Sequence, residues 1–109
     1  MEKEPDIKNI IRVETKGDNT YLFYTDGKRE LTGNTIDDLE RAFLEWDFVR
    51  IHPRHLINKN FYKKMSAFSF PAVEMNDGTL LPVSKDMIEN GELNMTKTWK
   101  QKIIEMFKF

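Results

Sequence analysis

Between Phe48 and Val73 the chain carries Arg50, Arg54, Lys59, Lys63 and Lys64, with His52 and His55, and no aspartate or glutamate. Two chemistries suit such a set: charge-assisted hydrogen bonds to an anion such as phosphate, or metal ligation through the histidines. The metal reading is the weaker. Pro53 disfavours a helix between His52 and His55, and on an extended segment residues three apart face opposite sides. No third ligand stands at a recognisable spacing, and the chain has no cysteine. A metal site is therefore not expected; one histidine is expected to hydrogen-bond inside the domain and the other to lie near the binding interface.

The formal charge is −1, from 17 basic and 18 acidic residues. The stretch 48–73 is +5 and the remainder −6. Such segregation predicts a polarised molecule whose local field attracts phosphates despite an acidic opposite side, although a lysine-rich solvated surface with no function gives the same count.

Other function classes lose support in turn. The absence of cysteine removes disulfides, thiolate catalysis and cysteine zinc sites together. Ser84 has no Gly-x-Ser-x-Gly setting, and Gly27, Gly78 and Gly91 stand alone, so neither acyl transfer nor a phosphate-cradling loop has a motif. The reading is not an enzyme, with no cofactor and no small-molecule substrate. No apolar run approaches the roughly 18 residues of a membrane span, and the start Met-Glu-Lys-Glu-Pro-Asp is not a signal peptide. No membrane partner is expected, and the location is read as cytoplasmic.

The elements that must position the cations come from pattern and punctuation. At 109 residues the chain is read as one domain, 1–109. Ile7 to Thr15, Tyr21 to Thr25 and Lys28 to Thr32 are β-rich runs separated by Lys16-Gly-Asp-Asn19 and Asp26-Gly27, which predicts a three-stranded antiparallel meander. Thr35 caps a helix whose apolar face is Ile36, Leu39, Phe43 and Trp46. Its acidic face, Asp37, Asp38, Glu40 and Glu45, is read as plain solvent surface that would repel a phosphate backbone. From Phe48 to Asn58 apolar residues alternate with cations. Phe61-Tyr62 and Phe68-Ser-Phe70 read as short strands or their edges, and Ala72 to Met75 and Thr79 to Val83 flank Asn76-Asp77-Gly78 as a second hairpin with Pro82 at an edge or bulge position. Ser84 starts a short helix through Ile88. The stretch 92–109 is a C-terminal extension in which Trp99, Ile103 and Phe107 mark a short amphipathic helix, packed on its own domain or lying on a membrane surface. The fold class is mainly β with minor α.

The order of these pieces resembles the LytTR family of bacterial DNA-binding domains. The residues that carry the resemblance are Val13-Glu14, Gly17, Asn19, Asp26-Gly27, Leu39-Glu40, Phe48-Val-Arg-Ile-His52, Leu56-Ile-Asn58, Asp77-Gly78 and Leu81-Pro-Val-Ser-Lys85, spanning roughly 7–90. The resemblance implies an elongated stack of small antiparallel sheets that reads double-stranded DNA through loops. It implies a transcriptional regulator on tandem repeats, with a second copy on the adjacent repeat. Family members often follow a receiver domain, so this chain is expected to be a stand-alone regulator or an excised response regulator output domain.

The family's three contact regions map onto Asn19, onto the stretch after His52, and onto Lys85. Asn19 offers a donor and an acceptor suited to adenine. After His52 the family most often has Arg-Ser, whereas this chain has Pro53-Arg54; either Arg54 takes the contact by a shift of one residue or the contact is lost. Lys85 stands where Arg is usual and lacks its planar fork. Backbone candidates are Arg50, His52, His55, Asn58, Lys59, Lys63 and Lys64. Each has an internal alternative: Arg50 pairing an acid beside the core, Asn58 satisfying a turn, Asn19 permitting a positive φ, Lys59 serving only as surface. The alternative function is a LytTR-fold protein-interaction module that has lost DNA binding.

Overall fold

The computed structural model describes residues 6–67 and 71–84. A 3-10 turn at Ile7–Asn9 leads into β1 (Ile10–Lys16), β2 (Asn19–Tyr24) and β3 (Arg29–Thr32), the expected meander. Helix α1 (Ile36–Ala42) follows, then β4 (Phe48–His52), β5 (His55–Asn58), a 3-10 turn at Lys59–Phe61, β6 (Tyr62–Ala67), β7 (Pro71–Met75) and β8 (Leu80–Pro82). Strands pair antiparallel in two sheets, β3-β2-β1-β5-β4 and β6-β7-β8. The fold is mainly β with minor α, as expected, with one α-helix among the described residues, and Pro82 lies on an edge strand, where its missing N–H costs no ladder bond.

Two apolar clusters make the five-stranded sheet the middle layer. Ile10, Val13, Leu22, Phe48 and Leu56 meet Ile36, Leu39 and Phe43 of the helical segment on one face. Val49, Ile51 and Ile57 meet Val73, Met75, Leu81 and Val83 of the second sheet on the other. Burying apolar side chains on both faces explains why β4 and β5 are almost continuously buried instead of alternating. The domain extends 51 × 26 × 26 Å.

Two turns share one design. In Tyr24 to Lys28 and again in Met75 to Thr79, the glycine adopts φ +86 and φ +90, a left-handed position that a side chain would strain. In both, the aspartate before it accepts the N–H two residues on, at 2.9 Å. These are three-residue hairpin loops.

Three expectations change. Helix α1 starts at the Thr35 cap, whose hydroxyl accepts the Asp38 N–H at 3.1 Å, but it ends at Ala42 and does not reach Trp46. Phe43 and Phe48 share one core, ring centroids 4.8 Å apart, so the chain must reverse between them; it does so through Asp47 at φ 62, which leaves Trp46 39% exposed. Phe61 belongs to the 3-10 turn, and the strand starts at Tyr62. The third change is a further hairpin, in which β4 and β5 are joined by only Pro53 and Arg54. Phe68 to Phe70, the helix beyond Ser84 and the helix in 92–109 lie outside the described residues.

Candidate nucleic-acid interface

Because Pro53-Arg54 is a turn, the segment containing it does not run extended. His52 and His55 become cross-strand partners with ring centroids 5.2 Å apart, not residues on opposite faces. Among the described residues they form no metal-ligand group of three. His52 Nδ1 accepts the Arg54 N–H at 3.1 Å, so that nitrogen is unprotonated. Burial, then the guanidiniums of Arg54 and Arg50, hold His52 below the ordinary histidine range. Burial lowers His55 further, to about 4, against the pull of the Glu14 carboxylate and with help from His52, Arg12 and Arg54. His55 Nδ1 is buried, 3.7 Å from Glu14 and with no hydrogen-bond partner. At neutral pH both rings are uncharged, so neither adds a cation to the surface.

The register fixes what shares one end of the sheet. Lys16 of β1 pairs Asn19 of β2, Thr15 pairs Thr20, and Thr20 pairs Thr32 of β3. On the other side of β1, Glu14 pairs His55, and the Thr15 N–H donates to the Arg54 carbonyl at 3.0 Å. The turns at 17–18, 33–34 and 53–54 therefore emerge side by side, with Asn19 and Arg54 two strand spacings apart, about 10 Å. Asn19, Asn34 and Arg54 are all exposed there. Asn19 is not the residue that makes the turn possible; Gly17 takes the positive φ, +60. Ser84 joins the same end, its N–H donating to the carbonyl of Ile51 at 2.7 Å. Lys85, next in the chain, lies outside the described residues.

The other candidates lie elsewhere. Arg50 has only 7% of its side chain exposed and bonds Asp37 and Glu40, both at 2.8 Å, and the carbonyls of His52 at 2.9 Å and Pro53 at 2.5 Å. Asn58, 2% exposed, donates to the Ile10 carbonyl at 3.0 Å and accepts from the Asn60 N–H. For Arg50 and Asn58 the internal alternative is the one realised: Arg50 pairs acids beside the core and Asn58 satisfies a turn backbone, both from buried positions. Lys59 follows β5 at the end of the hairpin away from Arg54. Lys63 and Lys64 sit in β6 beside Glu74, at 3.2 and 4.0 Å.

Sequence segregation of charge is thus not spatial segregation. Asp37, Glu40 and Glu74 come from outside the basic stretch and fold against three of its five cations. Of the α1 acids, Asp37 and Glu40 are not plain solvent surface, since both bond Arg50, whereas Asp38 stays exposed and pairs with Arg41 of the same helix. Among the described residues, no carboxylate lies within ion-pair distance of Arg54. A cation that the sequence reading passed over, Lys16, is at the same end, 63% exposed and only loosely paired with Glu14 at 3.8 Å. Its signal was available: a lysine directly before the turn glycine.

This arrangement, small antiparallel sheets presenting turn residues at one end, can be set beside known proteins. The profile described as the LytTr DNA-binding domain matches residues 5–92. A solved LytTr DNA-binding domain from Bacillus cereus is similar with a TM-score of 0.70, covering 79% of this chain and 80% of that one at 19% sequence identity, which shows a shared fold. Comparison with curated proteins gave no match. Among the described residues no helix is long and apolar enough to cross a membrane. With the family profile spanning most of its length, the chain belongs to the LytTR family of DNA-binding domains.

Proposed function

We propose that the protein is a cytoplasmic, sequence-specific transcription regulator of bacterial type that sets Asn19, Arg54 and Lys85 against base edges in successive grooves of tandem-repeat DNA. A second copy occupies the neighbouring repeat. The observation that carries this reading is the emergence of Asn19 and Arg54 from adjacent turns, one an amide and the other an arginine with no carboxylate partner among the described residues. An arginine left free at a turn suits guanine, and an asparagine suits adenine. Lys16 is the natural phosphate contact beside them, ahead of Lys59, Lys63 and Lys64. Those three add a more distant and partly neutralised field.

Selection of bound fragments from random duplex DNA tests the reading and yields the site. On the selected duplex, Arg54→Ala and Lys85→Ala are each expected to weaken binding by about tenfold to a hundredfold, with little change on a scrambled duplex. Unchanged affinity in both variants shows that the base contacts lie elsewhere. The local neutralisation of Lys63 and Lys64 by Glu74 favours a second reading, a protein-interaction module that has lost DNA binding. That reading predicts negligible duplex affinity even at low salt, where a DNA binder is strongest.

A further inference from the structure

The two-residue turn that presents Arg54 is weakly braced by its own sequence. Pro53 has no N–H to give, and the β4–β5 register shifts between Arg50 and His52. The bracing comes from Arg50. One edge of its guanidinium gathers the carbonyls of His52 and Pro53, and Nη1 is held by Asp37 Oδ1 and Glu40 Oε1 of α1. On the far side of the turn, His52 Nδ1 accepts the Arg54 N–H and the Arg54 carbonyl accepts from Thr15. The Arg54 backbone is thus fixed at both its donor and its acceptor, while its side chain stays exposed. A planar fork with several fixed donors is required for this; a lysine at position 50 could not serve both sides.

We propose that Asp37 and Glu40 are positioning residues for DNA binding, acting through Arg50 to set the turn that offers Arg54 to the duplex. The proposal rests on the DNA-binding reading above, and it makes a prediction opposite in sign to simple electrostatics. Removing two carboxylates from a protein that binds a polyanion should raise affinity through the general field. If the carboxylates act through the clamp, their removal lowers affinity for the selected duplex instead, because the turn loses its fixed geometry.

The test compares Asp37→Asn/Glu40→Gln with Asp38→Asn, which removes charge from the same helix at an acid bonded to Arg41 and not to Arg50. Binding is measured on the duplex selected by the wild-type protein and on a scrambled duplex, with thermal unfolding to confirm that each variant is folded. The double variant is expected to bind the selected duplex about tenfold more weakly, a loss the size of one misplaced side-chain contact. On the scrambled duplex it should bind equally or more tightly, and Asp38→Asn should lose nothing on either. In an Arg54→Ala background the loss should vanish, since the carboxylates then have no contact left to position; a purely structural role would persist there. Unchanged or tighter binding of the selected duplex by the double variant, or an equal loss with Arg54 removed, overturns the positioning role alone. A wild-type protein that binds no duplex overturns the DNA-binding reading, and this proposal with it.

Discussion

The five-stranded sheet has two edges, and they are built in opposite ways. β4 is buried from Phe48 to Ile51 because α1 covers one face and the second sheet covers the other. β3 at the opposite edge leaves Arg29, Glu30 and Leu31 exposed. On that side cohesion comes from long side chains lying along their neighbours: Arg29 stands 5.0 Å from the Tyr21 ring centre, Arg12 3.7 Å from that of Phe23, and the Tyr24 hydroxyl donates to Glu30 at 2.9 Å. Such contacts are worth little each in water, but the charges also keep the bare edge from pairing with another chain. Geometry is enforced at the covered edge. It ends in the turn that carries Arg54, where Arg50 holds the carbonyls of His52 and Pro53 and the N–H and C=O of Arg54 are both bonded.

The contrast is sharpened most by removing apolar volume from the covered side. Ile57 is fully buried between the sheets, and Ile57→Ala should destabilise the domain by about 2–5 kcal/mol, transfer and cavity terms together. Urea unfolding measures this directly. A cost near zero would mean that the second sheet does not pack on β5 in solution, and the description of β4 as doubly covered would fall.

What could be read from residue order follows the same division. The meander, the Thr35 cap and the two Asp-Gly hairpins were legible because each is set by a few adjacent residues with one strong local preference. The Pro53-Arg54 turn was not. Its residues carry no left-handed glycine, and its carbonyls are held by Arg50, whose own partners Asp37 and Glu40 come from α1. Charge shows the limit most clearly. A stretch without acids looked positive, but Asp37, Glu40 and Glu74 reach it only through the fold, so Arg50, Lys63 and Lys64 could not be told from Arg54 by type or spacing. Asn19 and Arg54 were named from their likeness to a family, and their being neighbours follows from the β1–β2 and β1–β5 registers, which no short motif encodes.

The covered side also responds to pH. His55, pressed against the covered side, protonates in the folded protein only near about 4, against 6.5 for an unperturbed imidazole. The unfolded chain therefore binds a proton first as pH falls. Stability tied to the neutral ring is complete above about 6.5 and is lost progressively down to about 4, by an amount on the order of 1–3 kcal/mol. His55→Gln should flatten the part of the pH profile between those limits, read from urea midpoints at fixed ionic strength. An unchanged slope would show that the ring is solvated and that burial does not set its protonation.

The smallest effect is expected on the bare edge. Leu31 is 58% exposed, so Leu31→Thr removes little apolar surface that folding had taken from water, and threonine keeps the preference for an extended strand. The change should stay within about 0.5 kcal/mol by urea unfolding, with the denaturant slope unaltered. Leu31 and Ile57 are both apolar strand residues of the same sheet, Leu31 bare on the edge strand β3 and Ile57 covered on the interior strand β5. If Leu31→Thr costs as much as Ile57→Ala, something covers β3 in solution, and the two edges are not built differently after all.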